Sequence, residues 1–181
     1  MTKDSINLKS LKFRPLDIST WKDFVKLMGE KGGCGGCWCM TWRIPPKIFH
    51  TQSGDGNKKA MHKLVRAGEP IGIIGYLNDE PVGWCAVAPR EKYPRLENSK
   101  VLAPLDNNPV WSVSCLFIEK RFRRKGLSSH FLKAAVAYAK KLKAKIVEGY
   151  PSVPYDKNIP AAFAWTGFPS AFEKAGFTEA A

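Results

Sequence analysis

The sequence predicts a mixed α/β (α+β) fold in which helices flank one mostly antiparallel sheet. Three observations predict it. Two apolar runs joined by a short turn, within residues 70–88, are typical of a β-hairpin. An apolar strand pattern at 111–118 then passes through a basic turn into helical periodicity. A further strand pattern at 144–150 and a short helix at 169–175 follow, so helices and strands alternate in the second half of the chain.

The first third of the chain predicts one strand and two helices. Leu11–Leu16 has the composition of a short strand, and Thr20–Glu30 carries apolar residues at helical spacing. Four glycines between residues 31 and 36 break this helix. Pro45 and Pro46 are expected to stop regular structure again. A second helix is predicted over Asn57–Arg66.

The middle of the chain predicts the hairpin. Ile71–Leu77 and Pro81–Val87 form its strands, and Asn78 and Asp79 form its turn, because these residue types favour tight turns. Residues 89–109 then form a long polar connection that holds four prolines.

The last third predicts two strands and two helices. Trp111–Ile118 and Ala144–Tyr150 are the strands, and the apolar residues from Leu127 to Leu142 recur at helical spacing. Pro169–Ala175 is a short helix with a proline at its start. No repeat or domain boundary is visible, so we expect one domain over residues 1–181.

Charge is the unusual feature of the composition. The 181 residues carry a formal net charge of +13, and residues 119–145 hold ten Lys or Arg against one acid, Glu119. Such a patch favours an anionic partner. No apolar run is long enough for a membrane span, and the first residues have no apolar signal core, so we expect a cytoplasmic protein.

The basic residues are densest immediately before the central helix. Five of the six residues from Lys120 to Lys125 are basic, and Gly126 follows. The free amide groups at a helix start, surrounded by cations, form a site for a phosphorylated ligand. This segment therefore predicts an enzyme that uses a phosphate-bearing cofactor.

The order of elements and two motifs together resemble the GNAT superfamily of acetyl-CoA-dependent N-acetyltransferases. The family pattern Arg/Gln-x-x-Gly-x-Gly/Ala is similar to Arg123–Ser128, in which Ser128 takes the last small position. The family's closing helix, Tyr-Glu-Lys-x-Gly-Phe, is similar to Phe172–Phe177. The resemblance covers roughly residues 10–177.

The resemblance implies a coenzyme A site on the central strand and helix. Backbone amides from Arg124 to Ser128 would hold the pyrophosphate, and nearby cations would supply charge. Backbone groups of the strand would pair with the pantetheine arm as another strand would. The implied cofactor-binding residues are Leu116, Phe117, Ile118, Arg123, Arg124, Lys125, Gly126, Leu127 and Ser128.

The resemblance leaves the catalytic groups open. In many family members a tyrosine protonates the departing thiolate, but Phe172 stands at that position here and has no proton to donate. Tyr150 and Tyr155 are candidate substitutes, or simply packing aromatics. Glu148 interrupts an apolar strand near the expected thioester and is the candidate general base. The alternative is a strand-end carboxylate that faces water or a lysine.

Cysteines and tryptophans cluster between residues 34 and 43. Cys34, Cys37 and Cys39 lack the paired spacing of a structural zinc site, so we predict no metal, although His50, His62 or Cys85 could add a ligand. A redox role and a merely packed loop are alternatives. The same region commonly lines the acceptor pocket in the family. The predicted acceptor contacts are Trp38, Trp42 and Arg43.

The function predicted is direct transfer of an acetyl group from acetyl-CoA to an amine. The aromatic loop favours a small-molecule amine over a protein, and the net positive charge argues against polycationic acceptors such as aminoglycosides. A non-catalytic coenzyme A-binding or nucleic-acid-binding domain of the same fold is the alternative, although we do not expect nucleic acid. A thiol- or metal-responsive protein is a third.

The chain holds four residues after Phe177, where family members usually place a final strand. A missing strand would leave a sheet edge unpaired and would favour a homodimer.

Overall fold

Five strands form one sheet in the order β1-β2-β3-β4-β5 in the computed structural model, which describes residues 7–153 and 164–180. Neighbouring strands from β1 to β4 are antiparallel, and β5 is parallel to β4. The mostly antiparallel sheet predicted from the sequence is therefore confirmed. The strands are β1 Leu11–Pro15, β2 Gly72–Leu77, β3 Glu80–Pro89, β4 Val110–Ile118 and β5 Ile146–Gly149.

Helices cover both faces of this sheet. The predicted helices at 20–30, 57–66, 127–142 and 169–175 are all present, with boundaries that differ by at most two residues at either end. The helices are α1 Trp21–Met28, α2 Pro46–Thr51, α3 Asp55–Arg66, α4 Pro94–Glu97, α5 Leu127–Lys141 and α6 Pro169–Ala175.

Two expectations about prolines are wrong. Pro46 begins α2, and Pro94 begins α4 within the predicted polar connection. Proline suits the first position of a helix, because its missing N–H has no partner there in any case and its φ is already helical. Each proline therefore starts a short helix at the point where the sequence analysis expected irregular chain.

Each face of the sheet has its own apolar core. Phe24 of α1 and Met61 of α3 pack with Trp84 on one face, and Phe131 of α5 packs with Val113 on the other. A Cβ at Gly75 or Gly83 would clash with the ring of Phe131, so these glycines let α5 lie close to the sheet. A third, smaller cluster around Tyr93 and Leu96 extends the first face beside the end of β5.

The structure leaves the predicted homodimer untested, and its helices bear on the question of a membrane span. Among the described residues no strand follows α6, so the homodimer stays a prediction. No helix within 7–153 or 164–180 has both the length and the apolar composition to cross a membrane.

Candidate functional site

The candidate site lies where β4 and β5 separate. The two strands pair from Val110 with Ile146 to Val113 with Gly149, and β4 then continues to Ile118 without β5 beside it. The pairing of β4 with β3 also changes register here: Ala86 lies opposite Cys115, and Val87 lies opposite Val113. The intervening residue, Ser114, is bulged, and a bulge bends a strand and breaks its regular pairing.

Two of the three predicted pantetheine partners present backbone groups to this opening. The amide of Leu116 donates to the carbonyl of Trp165 at 2.6 Å, and the carbonyl of Ile118 accepts from Arg123 Nε at 2.8 Å. Backbone groups alternate sides along a strand, so those of Phe117 face β3, where Phe117 pairs with Trp84. Of the three predicted partners, Leu116 and Ile118 can therefore offer backbone groups to a ligand in the opening, and Phe117 cannot.

The predicted phosphate-binding segment, Arg123–Ser128, lies at the start of α5 and is called the phosphate cradle below. Gly126 is the N-cap residue in a left-handed conformation, and no side chain caps the helix there, so its first amides face outward. Leu127 is buried and anchors this turn in the second core. Arg123, Arg124 and Lys125 are exposed, and among the described residues no carboxylate lies within ion-pair distance of them. Ser128 follows in the first turn of the helix.

Glu148 and Tyr150, the predicted catalytic residues, lie together where β5 ends, with Glu148 in the strand and Tyr150 just after it. Glu148 lies opposite Ser112 of β4, and Ser112 Oγ donates to Glu148 Oε1 at 2.8 Å. The Tyr150 hydroxyl donates a short hydrogen bond to the same oxygen. Arg90 Nη1 is the third donor, at 2.9 Å. Within the part of the chain that the structure describes, no donor reaches the other oxygen, Oε2.

Sequence analysis did not predict Arg90. It follows the apolar strand β3, and it is 5% exposed. Its neighbours include two carboxylates, because Nε also bonds Glu97 Oε1 at 2.8 Å. A single arginine directly after a continuous apolar run is the only signal that the sequence carries.

The Tyr150 hydroxyl is held in its protonated form. Burial and the hydrogen bond to Glu148 raise the pKa of Tyr150. The group therefore stays neutral well above neutral pH, with its proton directed at the Glu148 carboxylate. Tyr155, the other tyrosine considered, lies outside the described residues.

Phe172 lies on the opposite face of the sheet from this polar group. It is 4% exposed in the second core, and its ring packs so closely on Gly149 that a Cβ there would clash. Tyr150 belongs to the first face, where it packs beside Tyr93 and Leu96. Tyr150 therefore does not take the place that a tyrosine at position 172 would have.

The three predicted acceptor contacts have different surroundings. Trp38 is 3% exposed in the first core. Arg43 is also buried, and its Nη2 donates to the Tyr93 hydroxyl at 3.2 Å and to the Ile71 carbonyl at 3.4 Å. Only Trp42 is partly exposed and packs in the same small cluster as Tyr150, with its ring centroid 5.9 Å from that of Trp165. Trp42 is thus the predicted contact that lies on the Glu148 side.

The cysteines do not converge on a metal site in the described ranges. Cys34 is exposed, whereas burial raises the pKa of Cys37 to about 11. Cys39 Sγ accepts a hydrogen bond from Trp84 Nε1 at 3.0 Å. The hydrogen bond from Cys115 lowers the pKa of Cys39, and the Trp84 bond and the Arg43 charge add to this effect.

Comparison with known proteins gives one family and one fold. The family model described as the acetyltransferase (GNAT) family matches residues 38–163. No curated protein matches the sequence significantly.

Solved structures share the fold at low identity. Aminoglycoside N-acetyltransferase AAC(6')-Iy in complex with CoA is 12% identical, with a TM-score of 0.57 over 94% of this chain and 90% of that one. An aminoglycoside acetyltransferase from an uncultured soil metagenomic sample, in complex with sisomicin, is 15% identical, with a TM-score of 0.52 over 96% and 93%. Glucosamine-6-phosphate N-acetyltransferase from Arabidopsis thaliana is 14% identical, with a TM-score of 0.52 over 94% and 93%.

Proposed function

Because the chain belongs to the acetyltransferase (GNAT) family, we propose that it transfers the acetyl group of acetyl-CoA directly to a small-molecule amine, with Glu148 as the general base. Acetyl-CoA supplies the activated acetyl group. The chain's own residues bind it, orient the amine and accept the proton that the amine loses. As the C–N bond forms, the C–S bond of the thioester breaks, and coenzyme A leaves as a thiolate that takes up a proton from solvent.

The start of α5 supports the binding of coenzyme A. Its outward-facing amides and the exposed Arg123, Arg124 and Lys125 provide the donors and the positive charge that phosphates require. The backbone of Leu116 and Ile118 would pair with the pantetheine arm, which directs the thioester toward the point where β4 and β5 separate.

The observation that carries the proposal is the asymmetry of the Glu148 carboxylate. Three donors converge on Oε1, which fixes the group, while Oε2 has no partner in the described part of the chain. A neutral amine is needed for attack on a thioester, and Oε2, which is free of donors there, would accept the proton from an ammonium group. Tyr150 helps to hold the carboxylate in place, because its hydroxyl donates to Oε1.

The charges around Glu148 balance. Arg90 and Arg95, whose guanidinium lies 5.6 Å from the centroid of the Trp42 ring, contribute two positive charges, and Glu97 and Glu148 contribute two negative charges. This point carries no excess of positive charge in a protein of net charge +13, so it admits a single ammonium group. The partly exposed ring of Trp42 provides an apolar surface beside it. We propose that the acceptor is a small molecule rather than a protein or a nucleic acid. We also propose that the reaction takes place in the cytoplasm.

One observation favours a non-catalytic coenzyme A-binding domain instead. The position of the usual proton donor holds Phe172, which has no hydroxyl and is buried against Gly149 in the second core. The two functions are distinguished by turnover.

The test is a screen of primary amines with acetyl-CoA, followed by mass spectrometry of the products. For the best acceptor, we expect Glu148→Gln to lower kcat at least about tenfold, in the range of general base catalysis. The control is Glu69→Gln, which removes a carboxylate that pairs with Lys92 and is not among the hydrogen-bond partners of Glu148 or Arg90. Binding of coenzyme A without acetylation of any amine would establish the non-catalytic function, and unchanged turnover in Glu148→Gln would exclude this residue as the base.

A further inference from the structure

We propose that Arg90 is the positioning residue of this site: it holds one oxygen of Glu148 so that the other faces the acceptor amine. This inference rests on the proposed role of Glu148 as the base. Arg90 itself touches neither substrate in this proposal and acts through the carboxylate.

All five N–H groups of the Arg90 guanidinium have acceptors. Nε donates to Glu97, and Nη1 donates to Glu148 Oε1 and to the Tyr150 hydroxyl at 2.6 Å. Nη2 donates to the carbonyls of Leu96 at 3.1 Å and Leu102 at 2.5 Å. A guanidinium has five such groups in a planar fork, so this one is saturated and its orientation is fixed.

The partners of Arg90 come from segments that are distant in sequence. Glu97 and Leu96 belong to α4, Leu102 lies in the connection after it, and Glu148 is in β5. Arg90 therefore ties the connection between β3 and β4 to the end of β5. Lysine could not do this, because a single ammonium group cannot span a carboxylate on one side and two carbonyls on the other.

The contact with Arg90 fixes the orientation of Glu148. The groups that face this carboxylate are Arg90 just after β3, Ser112 from β4 and Tyr150 just after β5, with Glu97 of α4 reaching it only through Arg90. Without Arg90, only neutral donors remain on Oε1. Charge-assisted hydrogen bonds are stronger than neutral ones, so a carboxylate that has lost its cation is freer to rotate. Rotation moves Oε2 away from the amine.

A double-mutant cycle tests this role. It compares Arg90→Met, Glu148→Gln and the double variant. The matched control is Lys92→Met from the same turn, because Lys92 pairs with Glu69, at 2.9 Å, and among the described residues with no other carboxylate. We expect Arg90→Met to lower kcat about tenfold and to leave the KM for acetyl-CoA unchanged. The double variant should be no slower than Glu148→Gln.

Three results would overturn the inference. They are wild-type turnover in Arg90→Met, a KM for acetyl-CoA that rises along with the loss of kcat, and a double variant whose loss is the product of the single losses. If thermal denaturation shows that Arg90→Met is unfolded, Arg90→Lys replaces it. This variant keeps a cation but loses the planar fork of the guanidinium, so kcat should still fall about tenfold, and wild-type kcat would overturn the inference. Failure of the proposed function is separate, because Glu148→Gln alone would then retain its turnover.

Discussion

Two parts of the candidate site, the start of α5 (the α5 end) and the surroundings of Arg90 (the Arg90 end), hold their charges in opposite ways. At the α5 end, Arg123, Arg124 and Lys125 are exposed and follow one another in the chain. At the Arg90 end, Arg90 is buried, and every donor it has is used by groups from α4, the following connection, β5 and the residue after β5. The first end is a concentration of positive charge in water. The second is a fixed geometry with little freedom.

This difference predicts different physical behaviour. Exposed charges are screened by salt and contribute in proportion to their number, so any one of them is replaceable. A buried ion pair is screened much less, and removal of one partner leaves the other uncompensated. The α5 end should therefore govern affinity for the cofactor, and the Arg90 end should govern the rate of the reaction.

The largest effect is expected from a bulky residue at the cradle. Gly126→Trp should lower the affinity for coenzyme A about 100-fold, or roughly 2.8 kcal/mol at 1.4 kcal/mol per tenfold. The indole would cover the first amides of α5, and the left-handed φ of +79° opposes any side chain there. Isothermal titration calorimetry measures the affinity directly.

The matched control for this change is Gly68→Trp. Gly68 has a similar φ of +69°, and a side chain there also meets open space, but it lies after α3. Gly68→Trp should bind coenzyme A as the wild type does. Equal losses in the two variants would mean that backbone strain, and not the cradle, is responsible.

A smaller effect is expected at the buried end. Tyr150→Phe removes one of three donors to Glu148 and should lower kcat about tenfold, with an unchanged KM for acetyl-CoA. Because burial and Glu148 raise the pKa of Tyr150, its hydroxyl stays protonated as the pH rises to about 10. The rate profiles of both proteins should accordingly have the same shape below that pH. A basic limb present only in the wild type would contradict this interpretation.

The smallest effect separates the two ends by salt. Between about 50 and 300 mM NaCl, the affinity for coenzyme A should fall about fivefold, because the cradle charges are exposed. The ratio of wild-type kcat to that of Arg90→Met should change less than twofold over the same range. Equal salt sensitivity of both quantities would remove the distinction between the two ends.

The cradle could be predicted from the sequence because its parts are contiguous. Lys120–Ser128 carries its charge, its glycine and its helix start in one segment, and the hairpin turn at Asn78 and Asp79 is similarly local. Arg90 gave no comparable signal, because its partners lie 6 to 60 residues away and only folding brings them together. Local rules also fail for α2, since a proline that ends one element can begin the next.

For the predicted acceptor contacts, the residue types were suggestive, but their burial could not be predicted from the sequence. Trp38 and Arg43 belong to residue types that often bind ligands, but the fold uses one in the first core and the other beneath Tyr93. Nothing in a loop sequence states which of its large side chains points inward. Trp42 follows Trp38 by only four residues in the chain, yet it packs in the small cluster that contains Tyr150.

The hydrogen bond between the Leu116 amide and the Trp165 carbonyl means that the cofactor would replace an existing backbone hydrogen bond when it binds. A pantetheine arm that pairs with Leu116 has to take the place of the Trp165 carbonyl on the same amide. The number of backbone hydrogen bonds then stays constant, so this end of the cofactor contributes alignment and little net affinity. The nucleotide end, which displaces only water from the start of α5, must supply most of the binding energy, and free coenzyme A should bind nearly as well as its acetylated form.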